Sequence, residues 1–328
     1  MSKLVVFLFT VSLLVLTEAF EFHPELFTIA CPGRSPALSK VSGSENSKIQ
    51  RICGYDDRAK SHQKYKISGG EIPPVGRFPW AVGIALPAEY EQRGQSICGG
   101  TIISPIHFIS AAHCFFNYNT KSVPCSGSSV KHWILNADIH YAGTCSKQGK
   151  HCISANTRTT KIKKVHFTRK FHDQNCRSGQ DFAIVEVEEF VFDDRAKPIC
   201  IPKPFNGDAD LDEYRVFTSY GFGKNEKEER SASLSYIDFV QSTGKKPAFF
   251  PLEIDKGIVE VKPDEYLKGI CEGDSGSGLQ GSRRKDARKF FLGIHSFGMP
   301  CGMASSYRST YIPFYTKFIC EKTGVCNL

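Results

Sequence analysis

Residues 98–114 have the sequence CGGTIISPIHFISAAHC, in which a short apolar burst, residues 101–109, is interrupted by a proline. Similar bursts follow residue 67 along the chain, and Gly, Pro, Asn and Asp separate them. Short apolar segments with frequent turn residues are typical of the strands of an all-β barrel or sandwich. The bursts are residues 80–86, 101–109, 132–135, 182–187, 290–295 and 311–318. The pattern therefore predicts an all-β fold.

The size and charge of the chain set broad limits on its function. Its 328 residues allow one large or two ordinary domains with a substantial core. The 42 lysines and arginines exceed the 34 aspartates and glutamates by 8. The basic clusters at residues 161–164 and 283–289 are short and lack interleaved aromatics. We therefore expect no nucleic-acid partner.

The N-terminus has the pattern of a signal peptide. Lys3 precedes an apolar run over residues 4–16, and the small-residue sequence ending at Ala19 follows it. This run is too short to span a bilayer comfortably, and no later stretch qualifies as a membrane helix. A buried N-terminal helix is disfavoured because the run is apolar on all faces. The pattern predicts cleavage after Ala19, secretion and no membrane anchor.

The cysteine content agrees with export. Thirteen cysteines are expected to pair in an oxidising compartment, and their odd number leaves at least one free or bridged elsewhere. Their spacing is not that of a zinc site, so we expect disulfides and no metal. Residues 20–66 are polar and poor in periodic apolar pattern, which favours a propeptide.

Three short sequences have residues suited to nucleophilic catalysis. In Gly273-Asp274-Ser275-Gly276, glycines would let a carbonyl substrate approach the serine closely. A serine hydroxyl needs a base, and a histidine with a near-neutral pKa is suited to that task. His113, in the sequence AAHC, is the candidate base.

The third sequence supplies a carboxylate. Asp181 stands at the head of the apolar run of residues 181–185, where an unpartnered charge would be costly. An imidazole N–H would pair with it and fix the histidine tautomer. Each of the three sequences also has a non-catalytic interpretation when it is taken alone. The serine sequence would then be a common turn, the histidine would be an ordinary core or surface residue, and the aspartate would cap a turn.

The order His113, Asp181, Ser275, with its flanking residues, resembles the chymotrypsin family from about residue 67 to residue 318. The sequences Ile67-Ser68-Gly69-Gly70, Phe78-Pro79-Trp80, Gly221-Phe222-Gly223 and Ser296-Phe297-Gly298 are similar to further motifs of that family. The resemblance implies two antiparallel six-stranded β-barrels, about 67–190 and 205–318, in a peptidase domain of residues 67–328. It also implies a serine endopeptidase that needs no cofactor, with an oxyanion hole formed by the N–H groups of Gly273 and Ser275.

The same resemblance implies activation by proteolysis. Cleavage after Lys66 would free the Ile67 amine to pair with Asp274. A disulfide between Cys53 and Cys200 would then keep the two chains linked. Further implied partners are a protein or peptide substrate, an upstream trypsin-like activating protease and a protein inhibitor, and we expect a monomer.

The remaining cysteines are assigned less directly. The resemblance implies the disulfides Cys98–Cys114 and Cys271–Cys301. Proximity in the sequence suggests Cys145–Cys152 and Cys320–Cys326, with Cys125–Cys176 as a weaker suggestion and Cys31 left over.

The expected specificity pocket departs from the trypsin pattern. Its floor, counted back from Ser275, is Gly269, which has no charge to bind Lys or Arg. An apolar pocket flanked by Ile270 and opened by Gly298 is the plain interpretation. His295 at its wall is the basis of an alternative, a preference for acidic side chains. The other expected lining residues are Ser296, Phe297 and Pro313, the last of which would narrow the pocket.

The C-terminal residues also depart from the pattern of the chymotrypsin family. The long terminal helix of the family is reduced to a short, disulfide-tied stub, and the chain looks like a divergent branch of secreted protease-like proteins of nematodes. Such branches include inactive members. A catalytically silent homologue that binds or regulates a partner is therefore the alternative to an active endopeptidase.

Overall fold

The computed structural model describes the chain over a discontinuous set of residues. They are residues 22–23, 26–30, 35, 37–56, 66–67, 70–71, 73–87, 96–116, 131, 133–145, 157–168, 171, 180–206, 212–224, 233–239, 249–250, 258–261, 269–297 and 307–327. The predicted signal peptide and the residues Cys31, Cys125, Cys152, Cys176, Gly298 and Cys301 lie outside them.

The first ten described strands along the chain are β1 Phe22–His23, β2 Leu26–Ala30, β3 Lys66–Ile67, β4 Gly70–Glu71, β5 Ala81–Ala85, β6 Ser96–Ser104, β7 His107–Ser110, β8 Asp138–Tyr141, β9 Arg158–Thr168 and β10 Ala183–Val187. They include the eight strands of the first sheet, whereas β3 and β4 belong to the second sheet. Strand β8 pairs with both β5 and β9, which closes β5, β6, β7, β10, β9 and β8 into an antiparallel six-stranded barrel. Strand β2 adds to this barrel along β9, and β1 pairs with β2.

The remaining strands form the second sheet. They are β11 Tyr214–Gly221, β12 Ser235–Phe239, β13 Phe249–Phe250, β14 Ile258–Val261, β15 Gly278–Arg283, β16 Lys289–Phe297 and β17 Tyr307–Tyr311. With β3 and β4 they make a nine-stranded sheet in the order β13-β14-β17-β16-β15-β11-β12-β4-β3. The predicted all-β, chymotrypsin-like fold is confirmed.

Buried hydrogen bonds join the two sheets across the core. All residues of β5, β7 and β10 are buried, as expected for strands that line a packed barrel. The indole N–H of Trp80 donates to Gln280 Oε1 at 2.9 Å, and the hydroxyls of Thr101 and Tyr220 are 2.8 Å apart. Because buried polar groups need partners, these bonds fix how the sheets face each other.

A helix, α1 Gly43–Ile52, lies in the segment predicted to be the propeptide. Ser42 caps its N-terminus, and the side chains of Ser42 and Glu45 bond each other's backbone N–H groups. A disulfide between Cys53 and Cys200 and the 2.9 Å bond from Gly54 N–H to the Pro198 carbonyl attach the segment to the stretch between β10 and β11. The Lys289 N–H of β16 donates to the Gly54 carbonyl at 2.9 Å.

The chain closes with a short helix, α2 Thr316–Thr323, which Gly324 ends in the left-handed conformation at φ 76°. A disulfide joins Cys320 to Cys326 just after it, the pair suggested by sequence proximity. Short 3-10 helices cover residues 112–115, 134–136 and 312–315. Within the described ranges, no helix is long and apolar enough to cross a membrane.

Candidate active site

Asp181 is fully buried just before β10, with its carboxylate directed at His113. Its Oδ1 accepts a hydrogen bond from the His113 backbone N–H at 2.8 Å, and its Oδ2 accepts one from His113 Nδ1 at 2.5 Å. The hydroxyl of Ser296 donates to the same Oδ2. Burial raises the pKa of Asp181, but the charge and hydrogen bonds of His113 and the bond from Ser296 outweigh it, so the pKa is below its ordinary value. An ionised Asp181 holds the ring with Nδ1 protonated.

His113 is positioned by its backbone as well as by its ring. It lies in the short helical turn of residues 112–115 that follows β7, and a disulfide joins the next residue, Cys114, to Cys98 on β6. Only 12% of the His113 side chain is exposed. The ligand atoms of these three residues lie within 4.8 Å of one another, but disulfide sulfurs offer no thiolate to a metal. The disulfide therefore serves to hold the histidine.

The turn that carries Ser275 is fixed to both sheets. The Ser275 carbonyl oxygen accepts a 2.7 Å hydrogen bond from Gly99 N–H of β6. The same oxygen lies 3.7 Å from Sγ of Cys114, the residue after His113. Gly276 has φ 81°, and an added Cβ there would come within 2.5 Å of the Gly99 carbonyl oxygen. Glycine is required at this position because of both the backbone conformation and the space.

Gly273 also has a left-handed backbone, with φ 100°. Among the described residues, we find no hydrogen-bond acceptor for the N–H groups of Gly273 and Ser275. These are the two donors predicted to form an oxyanion hole. Cys271, two residues before Gly273, is disulfide-bonded, while its expected partner Cys301 lies outside the described residues.

Asp274 borders a cavity on the second sheet. Its Oδ1 accepts from Gly223 N–H at 2.7 Å, and its Oδ2 accepts from Cys271 N–H at 2.8 Å. A Cβ at Gly223 would lie 2.4 Å from the carboxylate, and one at Gly221 would lie 2.1 Å from it. The Gly221-Phe222-Gly223 motif therefore makes room for this side chain.

The charge of Asp274 is poorly compensated in the intact chain. Burial raises its pKa to about 6, although the two backbone hydrogen bonds act in the opposite direction. Among the residues that the structure describes, no basic group forms an ion pair with it. The cavity beside it is lined by residues of β11 and β12, by the turn at 269–274 and by His295. The lining includes Tyr220, Tyr236, Gly269, Ile270 and His295.

The expected pocket residues fall into two groups. Gly269, Ile270 and His295 border one cavity, whereas Ser296 turns to Asp181. Burial lowers the pKa of His295 to about 3, so its ring is neutral, and Nδ1 lies 3.2 Å from Ser309 Oγ. Of Phe297 only the backbone, in β16, is described.

Pro313 is placed elsewhere. It lies in the helical turn of residues 312–315, its carbonyl accepts a 3.0 Å bond from Phe205 N–H, and it does not border the cavity of Gly269 and His295. The side chains that approach this region from the same stretch of chain are those of Ser309 and Tyr307, on β17.

Sequence reasoning missed three contributors to the site. Ser296 was assigned to a pocket wall, yet its hydroxyl supports Asp181, and Thr310 donates to the Asp181 carbonyl at 3.0 Å. Tyr307 lies against Gly269. No motif signals these roles, because each depends on the pairing of β16 with β17.

Two antiparallel sheets, with a histidine bonded to a buried aspartate and a glycine-flanked serine turn at their junction, define the chymotrypsin class of folds. Comparison with protein families agrees, since the Trypsin family matches residues 67–319. The chain therefore belongs to the Trypsin family, and the resemblance predicted from its motifs is confirmed.

Individual relatives come from distant organisms. The chain is 27% identical over 278 residues to "Trypsin-like protease try-5" of Caenorhabditis elegans, covering 76% of this chain and 82% of that protein. It is 25% identical over 294 residues to "Transmembrane protease serine 11A" of Homo sapiens, covering 88% of this chain but only 62% of the human protein. It is also 25% identical over 264 residues to "Glucanase inhibitor protein 3" of Phytophthora sojae, covering 80% and 90%.

Proposed function

We propose that the chain is a secreted serine endopeptidase that hydrolyses peptide bonds through an acyl-enzyme. The observation that carries this proposal is the double attachment of His113 to Asp181, through its backbone N–H and its ring Nδ1. A histidine held in this way directs its other ring nitrogen, Nε2, away from the carboxylate, the orientation that a general base for a serine hydroxyl needs. The fixed turn at Ser275, close to the Cys98–Cys114 disulfide, supports a serine as the proton donor.

The chemistry follows from these positions. Ser275 Oγ would attack the substrate carbonyl while its proton passes to His113 Nε2, and Asp181 would stabilise the resulting imidazolium. The N–H groups of Gly273 and Ser275 would bind the oxyanion. His113 would then protonate the leaving amine, and water would hydrolyse the acyl-enzyme by the same route in reverse. No metal or organic cofactor takes part in this sequence.

Activation by cleavage after Lys66 is part of the proposal. Lys66 and Ile67 form β3, which pairs with β4, and Glu71 of β4 pairs with Tyr236, a residue that lines the Asp274 cavity. A new Ile67 amine would thus arise four residues before Glu71, the residue whose strand partner lines this cavity. The raised pKa of Asp274 indicates a carboxylate that would gain from a cation. Pairing would move this side chain and order the neighbouring turn.

The specificity we propose is not trypsin-like, because Gly269 offers no carboxylate for Lys or Arg. An apolar residue before the scissile bond fits the uncharged lining better than an acidic residue does, since His295 is buried and neutral. The acidic preference remains the alternative. Peptide substrates that vary only at the residue before the scissile bond distinguish the apolar from the acidic preference. The acidic alternative requires a higher kcat/KM for Glu than for Ala.

A serine-reactive fluorophosphonate tests the main proposal. The chain is cleaved after Lys66 and labelled, with a cleaved Ser275→Ala variant as the matched control. Labelling of the first and not of the second supports an active serine nucleophile. Absence of labelling in a well-folded, fully cleaved chain rejects it.

A silent homologue that binds a partner is the second candidate. One observation favours it: the chain matches a protein named as a glucanase inhibitor over 90% of that protein's length. This candidate predicts a folded, cleaved chain that is not labelled and does not turn over any peptide. The same labelling experiment therefore decides between the two functions.

A further inference from the structure

The tip of the Tyr307 side chain lies directly against Gly269. A Cβ added to Gly269 would be 1.7 Å from the Tyr307 hydroxyl oxygen and 2.6 Å from Cζ. Real Cβ contacts do not approach so closely, so the phenol occupies the space that any side chain at residue 269 would need. Tyr307 is 1% exposed, and Gly269 is buried as well.

The backbone holds Tyr307 in this position. It pairs with Val261 of β14, and the next residue, Arg308, pairs with Phe297 of β16. Strand residues two apart point to the same face, so Ser309 and Tyr307 face the same way. Ser309 meets the His295 ring, at 3.2 Å from Nδ1, which shows that this face is directed at the His295 cavity.

This space adjoins the serine turn. The His295 carbonyl accepts a 2.9 Å bond from Gly276 N–H, and the His295 N–H donates to the Ser277 carbonyl at 2.9 Å. Gly269 is six residues before Ser275. Between them, the backbone N–H of Cys271 donates a hydrogen bond to the Asp274 carboxylate. The recess bordered by Gly269 and His295 is therefore next to the position where a peptide bound to Ser275 would place its side chain.

We propose that Tyr307 is a specificity-determining residue whose ring fills the inner part of this recess, so that the activated enzyme cleaves after small side chains such as Gly, Ala and Ser. This inference rests on the proposed endopeptidase function. A large side chain would have to displace a buried ring whose strand is paired on both sides, and close-packed interiors resist such changes. Gly269 is the counterpart that leaves room for the phenol.

Enzyme for the test is activated without relying on trypsin. Residues 62–65 are replaced by four aspartates so that enteropeptidase cuts after Lys66. Peptides that differ only before the scissile bond, with Gly, Ala, Ser, Leu, Phe, Glu or Lys, are then assayed. The variants are Tyr307→Ala and Tyr307→Val, which shorten the side chain, and Tyr307→Phe, which keeps the ring and removes the hydroxyl.

We expect the wild type to have its highest kcat/KM on the small residues. Shortening Tyr307 should raise the Phe-to-Ala ratio of kcat/KM by about 10- to 100-fold, the range that one change of pocket volume produces. Tyr307→Phe should keep the wild-type ratio. A purely structural role would lower all rates together and leave the ratio unchanged. Tyr307→Val keeps a residue suited to a strand, in case the alanine variant does not fold.

Two results overturn the inference. One is a wild type that cleaves after Phe or Leu as well as after Ala. The other is a folded, shortened variant whose ratio does not change. Fluorophosphonate labelling of the same samples separates this failure from that of the proposed function: labelled enzyme with an unchanged ratio rejects only the role of Tyr307, whereas unlabelled wild type rejects both.

Discussion

Asn46, in the helix that precedes the peptidase domain, exchanges two hydrogen bonds with the backbone of Cys326. Its Nδ2 donates to the Cys326 carbonyl at 3.2 Å, and its Oδ1 accepts from the Cys326 N–H at 3.1 Å. Gln50, one turn later, donates to the same carbonyl at 2.8 Å. Helix α1 therefore satisfies the backbone just after the short helix α2. Helix α1 is in this respect part of the folded domain.

Replacing Asn46 with alanine should destabilise the protein measurably. The change leaves the Cys326 N–H without its partner, and losing two such bonds should lower the free energy of unfolding by about 2 kcal/mol. Urea unfolding with the disulfides intact measures this. Lys48→Ala, at an exposed position of the same helix, is the control and should change stability by less than about 0.5 kcal/mol. Equal effects of the two substitutions would contradict the role of Asn46.

Cleavage after Lys66 should leave both products in one molecule. The Cys53–Cys200 disulfide links them covalently, and Arg288 adds 2.7 Å and 3.0 Å bonds to the carbonyls of Gln50 and Cys53. Non-reducing electrophoresis of cleaved chain should give one band, and reduction should give two. In a Cys53→Ser, Cys200→Ser double variant, the products should still co-elute on size exclusion and separate in urea. Separation without urea would show that the contacts of α1 are too weak to hold it.

The sequence predicted the fold well because its motifs lie in a fixed order and at spacings that one topology accommodates. It did not predict α1, since residues 43–52 are mostly polar and only Asn46 and Ile49 are buried. A local signal was nevertheless present: Ser42 followed three residues later by Glu45 is the sequence pattern of a capping box. What the sequence could not show is that the chain end supplies the helix with its contacts.

The site was predictable where a residue has a local role and unpredictable where strand register decides. His113 and Asp181 are each marked by their own neighbours. Tyr307 is not, because its contact with Gly269 depends on how β17 aligns with β16, and that pairing shifts between His295 and Phe297. The family resemblance pointed instead to Pro313, which lies beyond β17 in the helical turn of residues 312–315.

Ser296→Ala should weaken the protein in a pH-dependent way. Its hydroxyl stabilises the buried Asp181 anion, and a hydrogen bond to a charged group contributes about 1.5–3 kcal/mol. Since the pKa of Asp181 is lowered by folding, this stabilisation is present above the unfolded pKa and is lost as the pH falls below about 4. The difference in unfolding free energy between wild type and variant should therefore shrink at low pH. A constant difference would mean that the hydroxyl does not act through the carboxylate.

Asp274 should give the intact chain the opposite pH dependence. Its pKa is raised to about 6, so the folded chain binds a proton more tightly than the unfolded chain between about pH 4 and pH 6. Stability is lost as the pH rises through this window, by at most about 3 kcal/mol at 1.4 kcal/mol per pKa unit. Urea unfolding from pH 4 to pH 7 should show this loss in wild type and not in Asp274→Asn. After cleavage at Lys66 the loss should diminish, because a paired carboxylate has a lower pKa. Parallel curves for wild type and variant would contradict this.

The intact chain should not activate itself. Gly269 offers no negative charge to the Lys66 side chain, and the Tyr307 hydroxyl already lies against Gly269, so the enzyme's own recess does not suit a lysine before the scissile bond. Purified intact chain incubated alone should keep the Lys66–Ile67 bond, whereas added trypsin should cut it. Mass spectrometry of new N-termini follows the reaction, with Ser275→Ala incubated in parallel. Cleavage at this bond in wild type and not in Ser275→Ala would show self-activation and reject the requirement for an upstream protease.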